Sequence, residues 1–490
     1  MQGCEYDKAS LARGKTMSRR TRDLRPRNVR AIVVPLAALV LLAPGFLSET
    51  ATAAAGKERP SIVLIVLDDF GYECVGANGG ESYQTPVLDG LAATGMRLEQ
   101  CHCLPLCTPT RVQLMTGQSN YRNYTHFAHL DPALQTFGNH LRDAGYATSI
   151  VGKWQLGNGF AGPGQFGFDD YCLWQLTRKP ERYWAPGLEI NGREIDYPED
   201  TYGPDVLNRH ATDFIARTKD RPFLLYYPMV LVHTPLELTP DSPEGEGRRG
   251  PDKFADMVAY ADKLIGNVVR TLDDHGLRER TLLLVLGDNG TTRGIPSRFQ
   301  GRMIEGSKGK TTIWGTRVPA IANWPGTVAG GQVCSDLIDS TDFLPTLLEA
   351  AAIPAPPGTR LDGRSFLPQL LGRSGSPREW IYAWYGPDGG STPRAEFAFD
   401  ARYKLYSDGR FFDVVRDEQE RSPLAATPLA ESAVAAREKL AGALAEFAGP
   451  RPEFFARQGQ PRVALPKRSG EPATAPKSKR RPAAAQPASP

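Results

Sequence analysis

A short stretch of the sequence, residues 107–117, combines a thiol, a helix start and a fixed positive charge. Thr108 is a residue type that caps helices and Pro109 suits the first helical turn, so the pattern predicts a helix with Cys107 just outside its N-terminus. Arg111 then lies one turn into this helix. Because a helix N-terminus carries partial positive charge, the stretch predicts a thiol beside a place that holds an anion.

Acidic and amide side chains follow two apolar segments that are typical of buried strands. Asp68 and Asp69 come directly after the first segment, and Asp288 and Asn289 come after the second. Two acidic residues after a strand are by themselves more often a solvated turn than a metal site. Three carboxylates and an amide oxygen at one sheet edge instead form an all-oxygen set, which favours a hard cation, Ca²⁺ or Mg²⁺.

Lys153 and His233 also follow segments that are predicted to be strands. A lone lysine is usually a solvated surface residue, and a lone histidine after a strand usually makes a loop hydrogen bond. Ligands of α/β sheets bind beyond the carboxyl ends of the strands, where both residues are expected together with the carboxylates. This shared position favours a role for both of them in one site.

The elements that must position these residues are strands alternating with amphipathic helices. This alternation predicts an α/β fold with a large, mostly parallel sheet sandwiched by helices. The chain has 490 residues and 41% hydrophobic content, enough for one large domain, expected at 56–375, and a smaller one. The predicted strands of the large domain include 62–67, 146–151, 223–227 and 281–286, and its predicted helices include 85–95, 131–145, 254–276 and 342–352.

Beyond about residue 376 the pattern changes to short segments that are typical of antiparallel strands, followed by one helix. We expect a small C-terminal α+β domain over 376–455. The segment 456–490 is rich in Pro, Ala, Lys and Arg and has too little apolar content to fold, so we expect a disordered basic tail. The expected strands are 380–385, 399–406 and 410–415, and the expected helix is 432–447.

Charge is distributed unevenly along the chain. The formal net charge is +3, but residues 1–30 carry nine Lys or Arg against three Asp or Glu, and residues 456–490 carry eight against one. These ends contribute +6 and +7, which leaves −10 on residues 31–455. A folded body with this negative charge argues against nucleic acid as a partner.

The N-terminal 55 residues have the pattern of a leader. Six arginines between residues 19 and 30 precede an apolar run at 31–43, and small residues at 51–55 offer cleavage sites. We therefore expect a secretory signal peptide within 1–55 and an exported protein, periplasmic or secreted. A membrane anchor is the alternative, but Pro35 and the Pro44-Gly45 pair leave less than the ~20 uninterrupted residues that a crossing helix needs. We expect no stable membrane span after cleavage.

The Cys107 stretch resembles the signature of the type I sulfatases, Cys-x-Pro-Ser/Thr-Arg followed by x-x-Leu-x-Thr-Gly, and matches it at every defined position. This arylsulfatase-like family belongs to the alkaline-phosphatase-like superfamily, so the resemblance implies that fold. It also implies that a formylglycine-generating enzyme oxidises Cys107 to formylglycine, the catalytic nucleophile. Further blocks that resemble the family lie at 85–89, 152–154, 233–235, 308–309 and 317–319.

The resemblance implies hydrolysis of a sulfate ester of a small molecule or a glycan to an alcohol and sulfate. Lys153 and Lys308, together with a metal, are implied to neutralise the sulfate oxygens during attack at sulfur. Arg111 is implied to hold the aldehyde hydrate, and His233 to protonate the leaving oxygen, because an imidazole exchanges protons near neutral pH. The residues that match the family's metal ligands, typically for Ca²⁺ and with the modified Cys107, are Asp68, Asp69, Asp288 and Asn289.

The sequence departs from the family at Gln155, where most relatives carry a histidine that contacts formylglycine and the sulfate. An amide can donate a hydrogen bond but cannot accept a proton as a base. The proton-accepting role then falls to a metal-bound carboxylate such as Asp288, or to another histidine, such as His102 or His126.

Two alternatives stay open. Relatives on the same fold use the same nucleophile and metal on phosphonate or phosphate monoesters, so such a hydrolase is one alternative. Because Gln155 replaces the usual histidine, a non-catalytic protein that binds sulfated glycans is the other.

Overall fold

A computed structural model describes residues 59–243, 247–390, 392–425 and 428–452. Among these residues, no helix combines the length and the apolar character that crossing a bilayer requires. The expected leader at 1–55 and the expected basic tail at 456–490 lie outside the described residues and stay predictions. The division into domains at 56–375 and 376–455 also stays a prediction.

The strands of the described residues build one large sheet, a hairpin and a small C-terminal sheet. They are β1 (Ser61–Leu67), β2 (Met96–His102), β3 (Ala147–Lys153), β4 (Asp170–Trp174), β5 (Gly187–Ile190), β6 (Arg193–Asp196), β7 (Phe223–Pro228), β8 (Thr281–Gly287), β9 (Pro296–Phe299), β10 (Arg302–Glu305), β11 (Ala320–Asn323), β12 (Gln332–Asp339), β13 (Ile381–Tyr385), β14 (Ala395–Phe399), β15 (Tyr403–Tyr406) and β16 (Phe411–Asp413).

The large sheet has ten strands in the order β12-β2-β11-β8-β1-β7-β3-β4-β5-β6. The central run from β8 to β4 is parallel, as the buried apolar segments predict. Strand β11 is antiparallel to both of its neighbours, and β5 and β6 extend one edge as antiparallel strands. The prediction of a mostly parallel α/β sheet is confirmed.

Helices cover both faces of this sheet, because its central strands are apolar on both sides. Alternate β1 residues belong to two separate cores. Ile62 packs in the core that includes residues of the helices Cys107–Thr116 and Phe343–Ala350, and Val63 packs in the core that includes residues of the helix Gly250–Asp274. The helices are α1 (Pro86–Ala93), α2 (Cys107–Thr116), α3 (Asn120–Asn123), α4 (Phe137–Asp143), α5 (Gly162–Gln165), α6 (Gly203–Thr218), α7 (Gly250–Asp274), α8 (Ile313–Thr316), α9 (Phe343–Ala350), α10 (Leu367–Leu370) and α11 (Glu431–Glu446).

The expectation of one helix over 131–145 is wrong at its start. Helix α4 begins only at Phe137, because the Thr136 side chain accepts from the Asn139 N–H and the Asn139 side chain accepts from the Thr136 N–H. This capping box sets the first helical turn. Asp131 instead closes a separate turn, in which its side chain accepts from the Ala133 N–H at 2.9 Å.

Strands β13 to β16 form the small antiparallel sheet that the C-terminal pattern predicts. Helix α11 packs on it through Leu440 and Ala443. The expectation of a single strand over 399–406 is wrong, because a turn separates β14 from β15. Asp400 Oδ1 accepts from the Arg402 N–H (2.9 Å) and the Tyr403 N–H (2.7 Å), and such aspartate bonds reverse the chain.

Candidate active site

The acidic residues meet at the carboxyl edge of the large sheet because β1 and β8 are neighbouring parallel strands. Leu67 pairs with Gly287, so Asp68 and Asp288 leave the sheet at the same level. The Asp288 N–H donates to the Leu67 carbonyl at 2.9 Å, and the Asp69 N–H donates to Asp288 Oδ1 at 3.0 Å. Hydrogen bonds from these two backbone N–H groups therefore hold the carboxylates side by side.

Three oxygen atoms of this cluster are buried without a hydrogen-bond donor among the described residues: Asp68 Oδ1, Asp288 Oδ2 and Asn289 Oδ1. The amide of Asn289 is oriented by its Nδ2, which donates to Asp69 Oδ1 and to the Gly290 carbonyl, each at 2.9 Å. Buried oxygens without donors are costly unless a cation or another donor meets them. The residues present therefore fit a hard divalent cation.

Three cations face the three carboxylates: Lys153 and Arg111 are buried, and Lys308 is partly exposed. Lys153 Nζ lies 2.6 Å from Asp68 Oδ2, and Lys308 Nζ lies 2.7 Å from Asp69 Oδ1. Arg111 Nη2 lies 3.5 Å from Asp288 Oδ2, and its Nη1 donates to the Lys153 carbonyl at 2.8 Å. The formal charges of these three cations and three carboxylates, the last being Asp288, cancel. An added divalent cation would therefore give the site a net positive charge, which favours binding of an anion.

Burial and ion pairing shift the pKa values of the cluster in opposite directions. Burial alone would raise the pKa of Asp68, but Lys153 and other nearby cations hold it well below its usual range. Burial and then the neighbouring Asp68 raise the pKa of Asp288 to about 7. Burial would lower the pKa of Lys308, but Asp69 raises it. One cluster thus contains two carboxyl groups with very different proton affinities.

Cys107 belongs to the first turn of α2, and the expectation that Thr108 caps this helix is wrong. The Thr110 N–H donates to the carbonyl of Leu106, which is the residue that precedes the helix and has an extended backbone. The hydroxyl of Thr108 instead donates to Gln155 Oε1 at 3.0 Å. The Cys107 thiol is nevertheless at the N-terminal end of α2, where the helix dipole favours negative charge.

Gln155 lies opposite Cys107, just after β3, with a φ of 53°. Its Oε1 accepts from Cys107 Sγ at 3.1 Å as well as from Thr108. His102 is buried away from this contact, against the ring of Phe399 and with Nδ1 3.2 Å from Thr316 Oγ1. Asp288, the carboxylate that is expected to accept a proton in place of a histidine, has an oxygen within 4.8 Å of Cys107 Sγ. The other histidine, His126, stacks on His129.

His233 reaches the cluster from the segment after β7. Its Nδ1 lies 2.6 Å from the Thr234 carbonyl, so a proton on Nδ1 is donated there and Nε2 faces the site, 3.9 Å from Asp69 Oδ2. Burial lowers the pKa of His233 below its usual value, although the nearby Asp68 offsets part of this effect. The ring is therefore oriented with its second nitrogen toward the carboxylates.

Arg182 is a neighbour of His233 that sequence reasoning missed. Its guanidinium stacks over Trp174 at 4.2 Å, donates through Nη2 to the Thr234 carbonyl and lies 3.2 Å from His233 Nδ1. Its Nη1 is buried with no hydrogen-bond partner among the described residues. The only available signal was a cation beside two aromatic residues, Arg182-Tyr183-Trp184, in a loop without a motif.

Thr292 is a second missed residue. Its hydroxyl donates to Asp69 Oδ2 at 2.7 Å, so it orients the carboxylate that also faces Lys308. Thr292 follows the Asp288-Asn289 pair closely in the sequence, and this proximity is the sequence feature that indicates a place in the site. All ten residues expected at the site lie in this cluster: Asp68, Asp69, Cys107, Arg111, Lys153, Gln155, His233, Asp288, Asn289 and Lys308.

Comparison with known proteins agrees with this geometry. The sulfatase family model matches residues 60–353, and the model of the N-sulphoglucosamine sulphohydrolase C-terminal region matches residues 314–440. Arylsulfatase A of Homo sapiens is 33% identical over 382 residues, covering 68% of this chain and 72% of that protein. N-acetylgalactosamine-6-sulfatase of Mus musculus is 31% identical over 368 residues, covering 68% and 69%.

Solved structures share the fold. A sulfatase from Pseudoalteromonas sp. has a TM-score of 0.65 and 22% identity, covering 82% of this chain and 91% of that one. The phosphonate monoester hydrolase of Agrobacterium radiobacter has a TM-score of 0.60 and 17% identity, covering 79% and 95%. The site and the matches to family and relatives together define the class: this chain belongs to the sulfatase family. It is a sulfatase, as the resemblance at Cys107 predicts.

Proposed function

We propose that this sulfatase hydrolyses a sulfate ester with residue 107 as the nucleophile, after a formylglycine-generating enzyme converts Cys107 to formylglycine. The observation that carries the proposal is the position of Cys107 at the start of α2, hydrogen-bonded to Gln155 and close to Asp68 and Asp288. As hydrated formylglycine, residue 107 would supply one hydroxyl that can attack sulfur and a second whose loss of a proton lets sulfate leave.

We assign the metal site to Asp68, Asp69, Asp288 and Asn289, with Ca²⁺ as the expected ion and Mg²⁺ as the alternative. The three buried oxygens without donors support this assignment. A divalent cation would supply positive charge to the sulfate oxygens and lower the pKa of a hydroxyl beside it.

The remaining roles follow from charge and geometry. Lys153 and Lys308 would neutralise sulfate oxygens as negative charge shifts during attack, and Arg111 would orient residue 107 and Asp288. His233 would protonate the leaving oxygen through Nε2, which faces the cluster. Gln155 Oε1 would accept a hydrogen bond from residue 107, as it does from the thiol.

We infer an exported enzyme, periplasmic or secreted, that acts on a sulfated small molecule or glycan. The arginine-rich and apolar segments within residues 1–55 support export. The relatives named as arylsulfatase A and N-acetylgalactosamine-6-sulfatase support both substrate classes. A phosphonate or phosphate monoester hydrolase is the second candidate, since a phosphonate monoester hydrolase shares the fold.

Cys107→Ala tests the nucleophile. Turnover of 4-nitrophenyl sulfate should fall by at least about 10⁴-fold, the scale on which loss of a nucleophile acts. Circular dichroism should show the fold unchanged. Cys172→Ala, which truncates a buried thiol in β4, is the matched control and should keep its turnover. Full activity of Cys107→Ala would end the proposal.

Two further measurements separate the candidates. Peptide mass spectrometry of protein from its native host should find formylglycine at residue 107, whereas an unmodified thiol without turnover would favour a glycan-binding protein. Purified enzyme should cleave 4-nitrophenyl sulfate faster than 4-nitrophenyl phosphate or a phenyl phosphonate ester at equal metal concentration. The reverse order would favour the phosphoester hydrolase.

A further inference from the structure

A cavity of about 380 Å³ lies where the loop after Lys308 meets the C-terminal sheet. Its lining includes Gly309 and Lys310 of this loop, and Tyr385 and Arg394 from the C-terminal part of the chain. This volume is within the range of about 300–1,000 Å³ that is typical of small-molecule sites. We call this cavity the basic cleft.

Four basic side chains at or beside the basic cleft are exposed: Lys310, Arg394 and Arg410 line it, and Arg293 adjoins it. Arg293 donates to the Lys308 carbonyl at 2.7 Å, and a Cβ at Gly309 would lie 2.8 Å from its Nη2. Within the part of the chain that the structure describes, Lys310, Arg394 and Arg293 form no ion pair. Their charges therefore remain available to a ligand.

Carboxylates around the basic cleft form ion pairs and hydrogen bonds with other residues. Glu420 pairs with the buried Lys404 at 2.8 Å and accepts from the Tyr406 hydroxyl. Asp408 pairs with Arg410, another lining residue, at 2.8 Å. Lys310, Arg394 and Arg410 outnumber Glu420 among the charged residues that line the basic cleft, so its lining has a positive balance.

The basic cleft adjoins the proposed catalytic site. Lys308, whose Nζ contacts Asp69, directly precedes Gly309, and the Gly309 N–H donates to the Pro105 carbonyl at 2.8 Å. Pro105 lies two residues before Cys107.

Tyr385 lines the basic cleft together with Arg394, and its side chain is buried. Burial raises the pKa of Tyr385, Arg394 and Arg293 lower it, and Cys107 raises it. A substrate that extends from residue 107 along the 308–310 loop would bring its next substituent to Lys310 and Arg394.

We propose that the basic cleft is a subsite for a second anionic group, a sulfate or a carboxylate, of the same substrate whose sulfate ester lies at residue 107. The inference rests on the proposed function and deepens it. Arginine binds sulfate and carboxylate oxygens in pairs, and lysine adds a point charge. The substrate class that fits is a glycan with at least two anionic groups, rather than a simple aryl sulfate.

The test compares a monosulfated keratan sulfate disaccharide, which has no carboxylate and so a single anionic group, with its disulfated counterpart as inhibitors of 4-methylumbelliferyl sulfate turnover. A charge-assisted hydrogen bond contributes enough for about a tenfold change in affinity, so the disulfated sugar should inhibit at least about tenfold more strongly. The double variant Lys310→Gln/Arg394→Gln should lose this preference and keep its turnover of the small ester. Arg416→Gln, which changes an exposed arginine outside the cleft lining, should behave like the wild type.

Equal inhibition by the two disaccharides, or a preference that survives in the double variant, would overturn the inference. Failure of the proposed function is a separate result, seen when the wild type does not cleave 4-methylumbelliferyl sulfate. In that case, calorimetric titration of the two disaccharides into the wild type and the double variant measures the same preference directly. A preference that is present only in the wild type supports the subsite, and its absence overturns it.

Discussion

Two buried lysines of this protein are each paired with a carboxylate, but in different surroundings. In the C-terminal sheet, Lys404 Nζ lies 2.8 Å from Glu420, also donates to the Thr311 carbonyl and lies 4.1 Å from the centroid of the Phe397 ring. The second oxygen of Glu420 accepts from the Tyr406 hydroxyl. Every polar atom of this pair has a partner, as expected of an ion pair that only supports the fold.

At the edge of the large sheet, Lys153 is paired with Asp68 at 2.6 Å and both side chains are fully buried. Here Asp68 Oδ1 has no donor among the described residues, and the same is true of oxygens of Asp288 and Asn289. Leaving one buried polar group unsatisfied costs about 1–3 kcal/mol, so several together indicate a place that a ligand completes. Buried polar atoms without partners, rather than buried charge, therefore distinguish the proposed active site from the Lys404–Glu420 ion pair.

Replacing each lysine with methionine tests this comparison and should have the largest effect. Lys153→Met should lower turnover per folded molecule by about 10²–10³-fold, because a cation that stabilises developing charge is lost. Lys404→Met should leave turnover unchanged. Both variants should lose about 3–5 kcal/mol of unfolding free energy, measured with urea, because each leaves a buried carboxylate unpaired. Equal turnover losses in the two variants would remove the distinction.

Metal removal should have the next largest effect. An ion present at 100 times its Kd adds about 2.7 kcal/mol to the unfolding free energy, so a chelator should lower thermal stability and Ca²⁺ or Mg²⁺ should restore it. Asp288→Asn removes a proposed ligand charge and should abolish the response. Glu420→Gln changes a carboxylate whose oxygens are already partnered and should keep the response. A wild type that is equally stable with and without chelator would contradict the metal assignment.

The smallest effect is expected at Gln155. Its Oε1 accepts from Cys107 and Thr108, and a neutral hydrogen bond contributes about 0.5–1.5 kcal/mol, so Gln155→Ala should lower turnover by about two- to tenfold. Thr108→Val removes the other donor to the same oxygen and should leave turnover higher than Gln155→Ala does. A loss as large as that expected for Lys153→Met would mean that Gln155 takes a direct part in proton transfer.

The sequence predicted the positions of the central strands well and the ends of some elements poorly. β1 and β8 are apolar on both faces, so period and length alone located Asp68 and Asp288 at strand ends. The prediction that Thr108 caps α2 was wrong because its hydroxyl bonds to Gln155, a partner distant in the chain that the local sequence pattern does not reveal. The prediction of one strand over 399–406 was wrong because a turn at Asp400 interrupts a segment whose composition is typical of a strand.

The sequence by itself determined the family, the motif around Cys107 and the carboxylates that follow β1 and β8, because these depend on residue types at short spacing. Tertiary structure decided which buried oxygens lack donors, that Gln155 faces Cys107, and that Arg182 reaches the carbonyl beside His233. It also brought Lys310 and Arg394 to one cleft. These relations join segments that are distant in the chain, and no local periodicity records which side chains will meet when the sheet and its helices pack.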